Sequence, residues 1–188
     1  MIMSQSNKKI ALFGASFNPP HLGHKAAVEF AWKTGLFDEI WIIPVFSHPH
    51  GKNLLDCDLR LEMIKLLISE VTIKPLFINT IEKNLGKSPC YSLDIVLALK
   101  EQHPDYHFTY ILGSDAKKDM PNWYRIDELK KAVDFCYVPR KGYEDSKLPE
   151  VSSSQIREQL NQGKSIAGLT SKQVENYLLK HHLYKKEV

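Results

Sequence analysis

Cysteine, long apolar runs and excess charge are all scarce in this sequence of 188 residues. The three cysteines, Cys57, Cys90 and Cys136, lie far apart and form no Cys-x-x-Cys pair. This pattern is typical of small buried side chains in a reducing compartment. No apolar run approaches the ~20 residues of a membrane-spanning helix, and the polar stretch 1–9 does not resemble a signal peptide. We therefore expect a cytoplasmic protein.

The net charge of +3 is too small to indicate a nucleic-acid or membrane partner. Hydrophobic residues make up 43% of the chain and charged residues 25%, as in ordinary soluble globular proteins, and the length suits one domain. A single domain is therefore expected, with small molecules as partners and neither nucleic acid nor membrane. A homo-oligomer is compatible with these features.

The two common phosphate-binding glycine motifs are both missing. The sequence contains no Gly-x-Gly-x-x-Gly, which argues against a dinucleotide-binding dehydrogenase. The Gly-Lys pairs at 51–52, 86–87 and 163–164 lack the upstream glycine of a P-loop. A phosphate site in this chain must therefore use different chemistry.

Strands and helices are predicted to alternate along most of the chain. Continuous apolar runs, which indicate strands buried on both faces of a parallel sheet, cover 9–13, 39–45, 73–79, 108–112 and 135–138. Helical periodicity covers 22–36, 58–70, 92–102, 125–132, 152–161 and 171–181. These elements predict one α/β domain, a doubly wound parallel sheet with C-terminal helices, whose core spans about residues 9–184.

The most informative segment is 14–24, Gly-Ala-Ser-Phe-Asn-Pro-Pro-His-Leu-Gly-His, which joins the first strand to the first helix. In such a sheet this turn lies where ligands bind, and the helix start offers unpaired N–H groups to an anion. His21 and His24 can both donate hydrogen bonds to phosphate oxygens. A His-x-x-His pair can also bind metal, but no nearby Glu or Cys completes a zinc site, so no metal site is predicted.

A second candidate phosphate site opens the helix that follows the fifth strand. Its residues 151–158 read Val-Ser-Ser-Ser-Gln-Ile-Arg-Glu. The serines are good N-cap residues in any case. Together with the helix N–H groups and the guanidinium of Arg157, however, they also form an anion cradle.

Two interpretations remain open for the middle of the chain. Asp115, after the fourth strand, is either an exposed turn residue or a ligand for substrate hydroxyls. Trp123 and Tyr124 either belong to the core or offer a flat face to an aromatic ring. Likewise, the loop 48–53 is either a solvated lid or brings Lys52 to a phosphate.

The segment 14–24 resembles the GxFxPxHxGH signature of the HIGH-type nucleotidyltransferase superfamily. Its Phe-Asn-Pro-Pro-His form is similar to the nicotinate or nicotinamide mononucleotide adenylyltransferases, and the serine-rich helix start resembles their ISSTxIR motif. The segments 90–94, 113–124 and 138–140 resemble further stretches of the same enzymes. This sequence differs from the usual bacterial pattern in that Ser16 replaces Thr, Asn18 replaces Asp and Leu22 replaces Tyr.

The resemblance implies transfer of AMP from ATP to nicotinate mononucleotide, which gives deamido-NAD and pyrophosphate in NAD biosynthesis, with Mg²⁺ accompanying ATP. It implies three catalytic residues, His21, His24 and Arg157. For ATP and its phosphates it implies Gly14, Ala15, Ser16, Phe17, Gly23, Lys52, Gly113, Asp115, Arg140, Ser153 and Ser154. For the mononucleotide it implies Asn18, Ser92, Trp123 and Tyr124. Alternatives are nicotinamide mononucleotide, a dual substrate, phosphopantetheine, or a non-catalytic nucleotide sensor.

Overall fold

The structure, a computed structural model, describes residues 7–47, 51, 53–73, 75–140 and 148–184. Its strands are β1 (Lys9–Ala15), β2 (Glu39–Pro44), β3 (Leu76–Ile78), β4 (His107–Gly113) and β5 (Asp134–Val138). Its α-helices are α1 (Leu22–Lys33), α2 (Cys57–Ser69), α3 (Ile81–Leu85), α4 (Ser92–Gln102), α5 (Ala116–Asp119), α6 (Ile126–Ala132), α7 (Ser153–Asn161) and α8 (Lys172–Lys180). A 3₁₀ turn covers Met120–Asn122.

The five strands form one parallel sheet in the order β3-β2-β1-β4-β5. The chain builds outward from β1 in one direction and then, from β4 onward, in the other. The order therefore reverses between β1 and β4, and this reversal is where open α/β sheets bind ligands. The predicted doubly wound α/β fold is confirmed.

Both faces of the sheet are covered, because alternate residues of β1 point to opposite sides. Ile10 and Leu12 pack in a core with α3, α4 and α6, whereas Ala11 and Phe13 pack with α1 and α2. All six residues of β2 are buried, as expected for a central strand of a parallel sheet.

The two last helices extend the domain beyond the sheet. Ile156 and Leu160 of α7, with Val174 and Leu178 of α8, pack against α2 in a third apolar cluster. The N-terminal end of α7 is thereby held beside the loop between β1 and α1. Within the described ranges, no helix has the length and apolar character needed to cross a membrane.

The main differences from the predicted elements concern their ends. Helix α1 stops at Lys33 because Gly35 adopts φ +69°, a common helix-ending conformation. Strand β1 includes Gly14 and Ala15, which pair with Ile43 and Pro44. Strand β3 is shorter than predicted, and α3 and α5 are new, since helices of five and four residues are too short to show a periodicity.

Candidate active site

A cavity of about 570 Å³ opens at the carboxyl ends of β1 and β4, beside the reversal of strand order. One of its walls is the start of the loop after β1, and another is the aromatic segment before α6. Its lining residues are Gly14, Ala15, Ser16, Ile43, Val45, Glu82, Cys90, Tyr91, Ser92, Ile95, Tyr110, Leu112, Asn122, Trp123, Tyr124 and Leu129. We refer to it as the first cavity.

A second cavity of about 410 Å³ is lined by the end of the same loop and by the start of α7. Its described lining residues are His21, Asp115, Pro139, Arg140, Leu148, Pro149, Glu150, Val151, Ser152, Ser153 and Gln155. The loop 14–21 therefore takes part in both cavities, through Gly14, Ala15 and Ser16 in the first and through His21 in the second.

The loop 14–21 is held by its own carbonyl groups. Four of them accept hydrogen bonds from side chains of other elements: Ser16 from Arg60 (2.9 Å), Asn18 from Arg157 (2.6 Å), Pro19 from Ser153 (2.8 Å) and Pro20 from Thr170 (2.9 Å). Such external support fixes the path of a segment that lacks the regular bonds of a helix or strand.

Phe17 supports the loop from inside the protein. Its side chain is buried at 1% exposure although its φ is +48°, a conformation that is uncommon for a residue of this size. The ring contacts Phe13, with centroids 5.8 Å apart, and His24, at 4.7 Å. Its side chain is thus part of the core, and a phosphate contact from Phe17 would have to come from its backbone.

His21 and His24 stand together at the start of α1. Their rings stack with centroids 3.7 Å apart and planes at 29°, and Nδ1 of His24 accepts a hydrogen bond from the backbone N–H of His21 (3.1 Å). Nδ1 of His21 is buried and has no hydrogen-bond partner among the residues that the structure describes. A buried ring nitrogen without a partner is costly. The His21 residue also lines the second cavity.

Burial keeps both imidazoles neutral. It lowers the pKa of His21 to about 3, with the positive charge of Arg140 as a second cause. Burial also lowers the pKa of His24 well below its usual value, with further lowering from His21 and Arg140. An anion that neutralises Arg140 and contacts these rings would reverse part of both shifts.

The start of α7 combines capping and anion-binding features. Ser152 caps the helix, since its hydroxyl accepts from the N–H of Gln155 (3.1 Å). Arg157 donates from Nη2 to the Ser154 hydroxyl (3.1 Å), besides its bond to the Asn18 carbonyl. The structure thus brings Arg157, Ser153 and Ser154 next to the loop 14–21.

A charged pair on the wall of the second cavity joins Asp115, which follows β4, to Arg140, which follows β5. Nε of Arg140 lies 3.9 Å from Oδ1 of Asp115, and both side chains are partly exposed. The Arg140 backbone N–H donates to the hydroxyl of buried Ser114 (2.9 Å). Gly113 lies directly beside the pair. A Cβ at this position would be 2.2 Å from Oδ1 of Asp115, so only glycine fits without moving that carboxylate.

Aromatic side chains form the outer wall of the first cavity. Trp123 packs against the core and lines the cavity as well, so the two interpretations of this residue are compatible. Tyr124 is 47% exposed and stacks on Tyr91, with centroids 4.3 Å apart and planes at 21°. Ser92, which begins α4, lines the same cavity, as does the buried Tyr110.

Two buried charged residues beside the cavity escaped the sequence analysis. Arg60 is only 1% exposed and also donates to the carbonyls of Val45 (2.6 Å) and Leu55 (2.8 Å). Glu82 is 2% exposed, lines the first cavity and accepts from two backbone N–H groups, those of Phe46 (2.9 Å) and Ser47 (3.1 Å). The pKa of Glu82 is raised overall, because burial outweighs the lowering effect of these two hydrogen bonds and of the charge of Arg60.

Several predicted site residues, among them His24, Arg157 and Asn18, line neither of these two cavities. His24 and Arg157 contact His21 and the loop 14–21, whereas Asn18 and Lys52 need separate mention. The side chain of Asn18 is buried at 5% exposure and bound to Asn53, Leu55 and Tyr184. A mononucleotide contact from Asn18 therefore finds no support in this geometry and stays a prediction. Lys52 lies outside the described residues, as do 48–50 of the same loop.

Comparison with known proteins supplies independent information. A family model described as cytidylyltransferase-like matches residues 12–159. A protein of Bacillus pumilus named "Probable nicotinate-nucleotide adenylyltransferase" is 36% identical, over 95% of this chain and 99% of its own. One of the same name from Halalkalibacterium halodurans is 39% identical, over 95% and 92%.

Among solved structures, the nicotinic acid mononucleotide adenylyltransferase of Plasmodium falciparum complexed with NaAD has the same fold. Its TM-score is 0.83 at 22% identity, and the match covers 94% of this chain and 97% of that one.

Proposed function

Since this chain belongs to the cytidylyltransferase-like family and, within it, to the nicotinate-nucleotide adenylyltransferases, we propose that it transfers AMP from ATP to nicotinate mononucleotide. The products are deamido-NAD and pyrophosphate, as required for NAD biosynthesis. The observation that carries the proposal is the loop 14–21, which lines two separate cavities at the reversal of strand order. A reaction that joins two nucleotides needs such adjacent sites.

We assign the first cavity to the mononucleotide. Trp123 and Tyr124 give it flat apolar walls suited to a pyridine ring, and Ser92 places a hydroxyl within it. The backbone at Gly14 and Ala15 carries little side-chain bulk, so the 5′-phosphate can approach the end of β1.

We assign the second cavity to ATP. It combines Arg140, the N-terminal end of α7 and the imidazole of His21, which together suit a polyphosphate. Asp115, on the same wall, is placed to accept from ribose hydroxyls. Arg157, held next to the loop 14–21 and bonded to Ser154 at the start of α7, is assigned to the outer phosphates.

The reaction is a single in-line displacement. A 5′-phosphate oxygen attacks the α-phosphorus of ATP, a new P–O bond forms, and the bond to the β-phosphate breaks to release pyrophosphate. A phosphate monoester with a second pKa near ~6 is already a dianion at neutral pH, so no general base is needed. The protein contributes positioning and charge stabilisation.

His21 and His24 have the central role in this scheme. Both are neutral in the free protein. Once ATP is bound, they act as hydrogen-bond donors to its α-phosphate. The added negative charge of the transition state raises their affinity for protons and so strengthens these bonds.

Mg²⁺ is expected to accompany ATP. Magnesium in such sites is bound mainly by substrate phosphates and water, with one or two carboxylates. Over the described ranges there is no group of three or more His, Cys, Asp or Glu side chains suited to a metal ion. When bound, it would neutralise the charge of the triphosphate.

Pyrophosphate release from ATP and Mg²⁺ tests the proposal, with nicotinate mononucleotide, nicotinamide mononucleotide and phosphopantetheine as separate acceptors. We expect strong preference for nicotinate mononucleotide, and loss of most turnover in His24→Ala but not in the control His181→Ala, whose side chain is exposed. Equal use of both pyridine nucleotides would show a dual-specificity enzyme. Activity with phosphopantetheine alone would overturn the substrate assignment.

A further inference from the structure

The side chain of Asn18 connects three parts of the protein. Its Oδ1 accepts from the backbone N–H of Leu55 (3.1 Å) and from the hydroxyl of Tyr184 (2.5 Å), and its Nδ2 donates to the carbonyl of Asn53 (3.4 Å). Its backbone carbonyl also accepts the bond from Arg157. Asn18 is thus the point where the loop 14–21 meets the segment before α2, the start of α7 and the residues after α8.

Tyr184 is the most distant of these partners in sequence, 166 residues from Asn18. It packs at the edge of the apolar cluster formed by α2, α7 and α8, and its φ is +59°. Such a backbone conformation is unfavourable for a tyrosine and persists where tertiary contacts hold it. Burial raises the pKa of Tyr184, so its hydroxyl stays protonated and can donate to Asn18 at neutral pH.

We propose that Tyr184 is a positioning residue of the active site, which acts through Asn18 on the loop that presents His21 and on Arg157. Resting on the proposed function, this assigns a role in turnover to the residues after α8. Ser16 and His21, which we assign to phosphate binding, flank Asn18 in the chain, and Arg157 is bonded to its carbonyl. Losing the bond from Tyr184 therefore loosens the loop without removing a residue that contacts a substrate. When phosphate-binding groups are misplaced in this way, the rate of the chemical step falls more than the affinity for the substrates does.

The decisive experiment compares Tyr184→Phe with wild type in steady-state kinetics, well below the unfolding temperature of both. A hydrogen bond of this kind contributes about 0.5–1.5 kcal/mol, which corresponds to about a twofold to tenfold change. We expect kcat to fall by this factor and the KM for each substrate to change by less than about twofold. Tyr177→Phe is the matched control, since Tyr177 lies in the same apolar cluster and its ring contacts His181.

A double-mutant cycle ties the effect to Asn18. In an Asn18→Ala background, Tyr184→Phe should have no further effect on kcat, because its acceptor is already gone. Asn18→Asp keeps a side-chain oxygen as acceptor and should restore the dependence on Tyr184. Unchanged kcat in Tyr184→Phe, or additive effects of the two substitutions, would overturn the proposal.

Amide hydrogen exchange separates this proposal from the proposed function. Exchange at His21 and His24, whose N–H groups bond within the helix start, should accelerate in Tyr184→Phe and stay at the wild-type rate in Tyr177→Phe. If the protein releases no pyrophosphate with any acceptor, the proposed function fails and exchange still decides the role of Tyr184. Equal exchange in wild type and Tyr184→Phe would refute that role whatever the substrate.

Discussion

Gly23 leaves free the space beside the imidazole of His21: a Cβ at position 23 would lie 3.0 Å from both Nδ1 and Cε1 of that ring. It would also be 3.4 Å from the backbone oxygen of Val151, an ordinary contact distance, so the His21 ring is the group that would have to move. The small size of residue 23 is therefore a requirement of His21, in the first turn of α1.

Gly23→Ala should displace His21 and reduce kcat by about tenfold to a hundredfold, since small misplacements of a catalytic group have effects of this size. Alanine is favoured over glycine within helices by about 1 kcal/mol, which offsets part of the steric cost. The expected signature is thus a loss of turnover out of proportion to the change in unfolding temperature. Normal turnover in this variant would contradict the placement of His21 at the reacting phosphate.

The neutral state of buried His21 makes stability dependent on pH. An unfolded histidine titrates near ~6.5 and His21 at about 3, so the unfolded chain binds more protons between these values. The contribution of His21 to stability is therefore complete above ~6.5 and declines as pH falls towards 3, by about 2 kcal/mol at pH 5.

Urea unfolding at pH 7 and pH 5 measures this contribution when wild type is compared with His21→Gln. The wild-type protein should lose about 2 kcal/mol more than the variant between the two pH values, because the carboxylates titrate alike in both and burial, the main cause of the lowered pKa of His24, is retained. An identical pH dependence would show that His21 titrates normally in the folded protein.

Arg60 should be essential for stability. Its guanidinium is buried and bound to the carbonyls of Ser16, Val45 and Leu55, so Arg60→Met leaves three acceptors and the nearby Glu82 without compensation. We expect a loss of about 3 kcal/mol in the free energy of unfolding. In contrast, Lys65→Met on the same helix, where Lys65 forms an exposed pair with Glu62, should change it by less than about 1 kcal/mol.

Trp123 and Gly113 offer a reciprocal test of the two cavities. Trp123→Leu removes the flat wall of the first cavity and should raise the KM for the mononucleotide about tenfold, with the KM for ATP changed less than twofold or so. Gly113→Ala displaces Asp115 and Arg140. It should therefore raise the KM for ATP and leave the KM for the mononucleotide nearly unchanged. Initial rates with each substrate varied in turn measure both, and a shift of the same KM in both variants would contradict the assignment.

Much of this arrangement could be predicted from the sequence, because its signals are local. Apolar runs define the central strands, and the two segments with unusual composition, 14–24 and 151–158, lie beside each other in the structure. At the start of α7, Ser152 caps the helix and Ser153 contacts the loop 14–21. The capping and anion-binding interpretations of this segment are therefore compatible.

Residues that act over long distances in the chain could not be predicted in this way. Arg60 lies three residues before Met63 on the buried face of α2, and its position among apolar residues was the only signal of its burial. The resemblance assigns Asn18 to the mononucleotide. Its partners at 53–55 and 184 are brought to it by the packing of α2, α7 and α8, which periodicity does not reveal.

The presence of one loop in both cavities has a consequence for the order of events in catalysis. On the proposed assignment each nucleotide has a cavity of its own, so neither has to depart before the other arrives, and we expect the transfer to occur in a ternary complex. Double-reciprocal plots for one substrate at several levels of the other should then intersect, as in a sequential scheme, instead of running parallel as in a ping-pong scheme. A single displacement in such a complex also inverts the configuration at the α-phosphorus, which an ATP made chiral at that atom would record in the product.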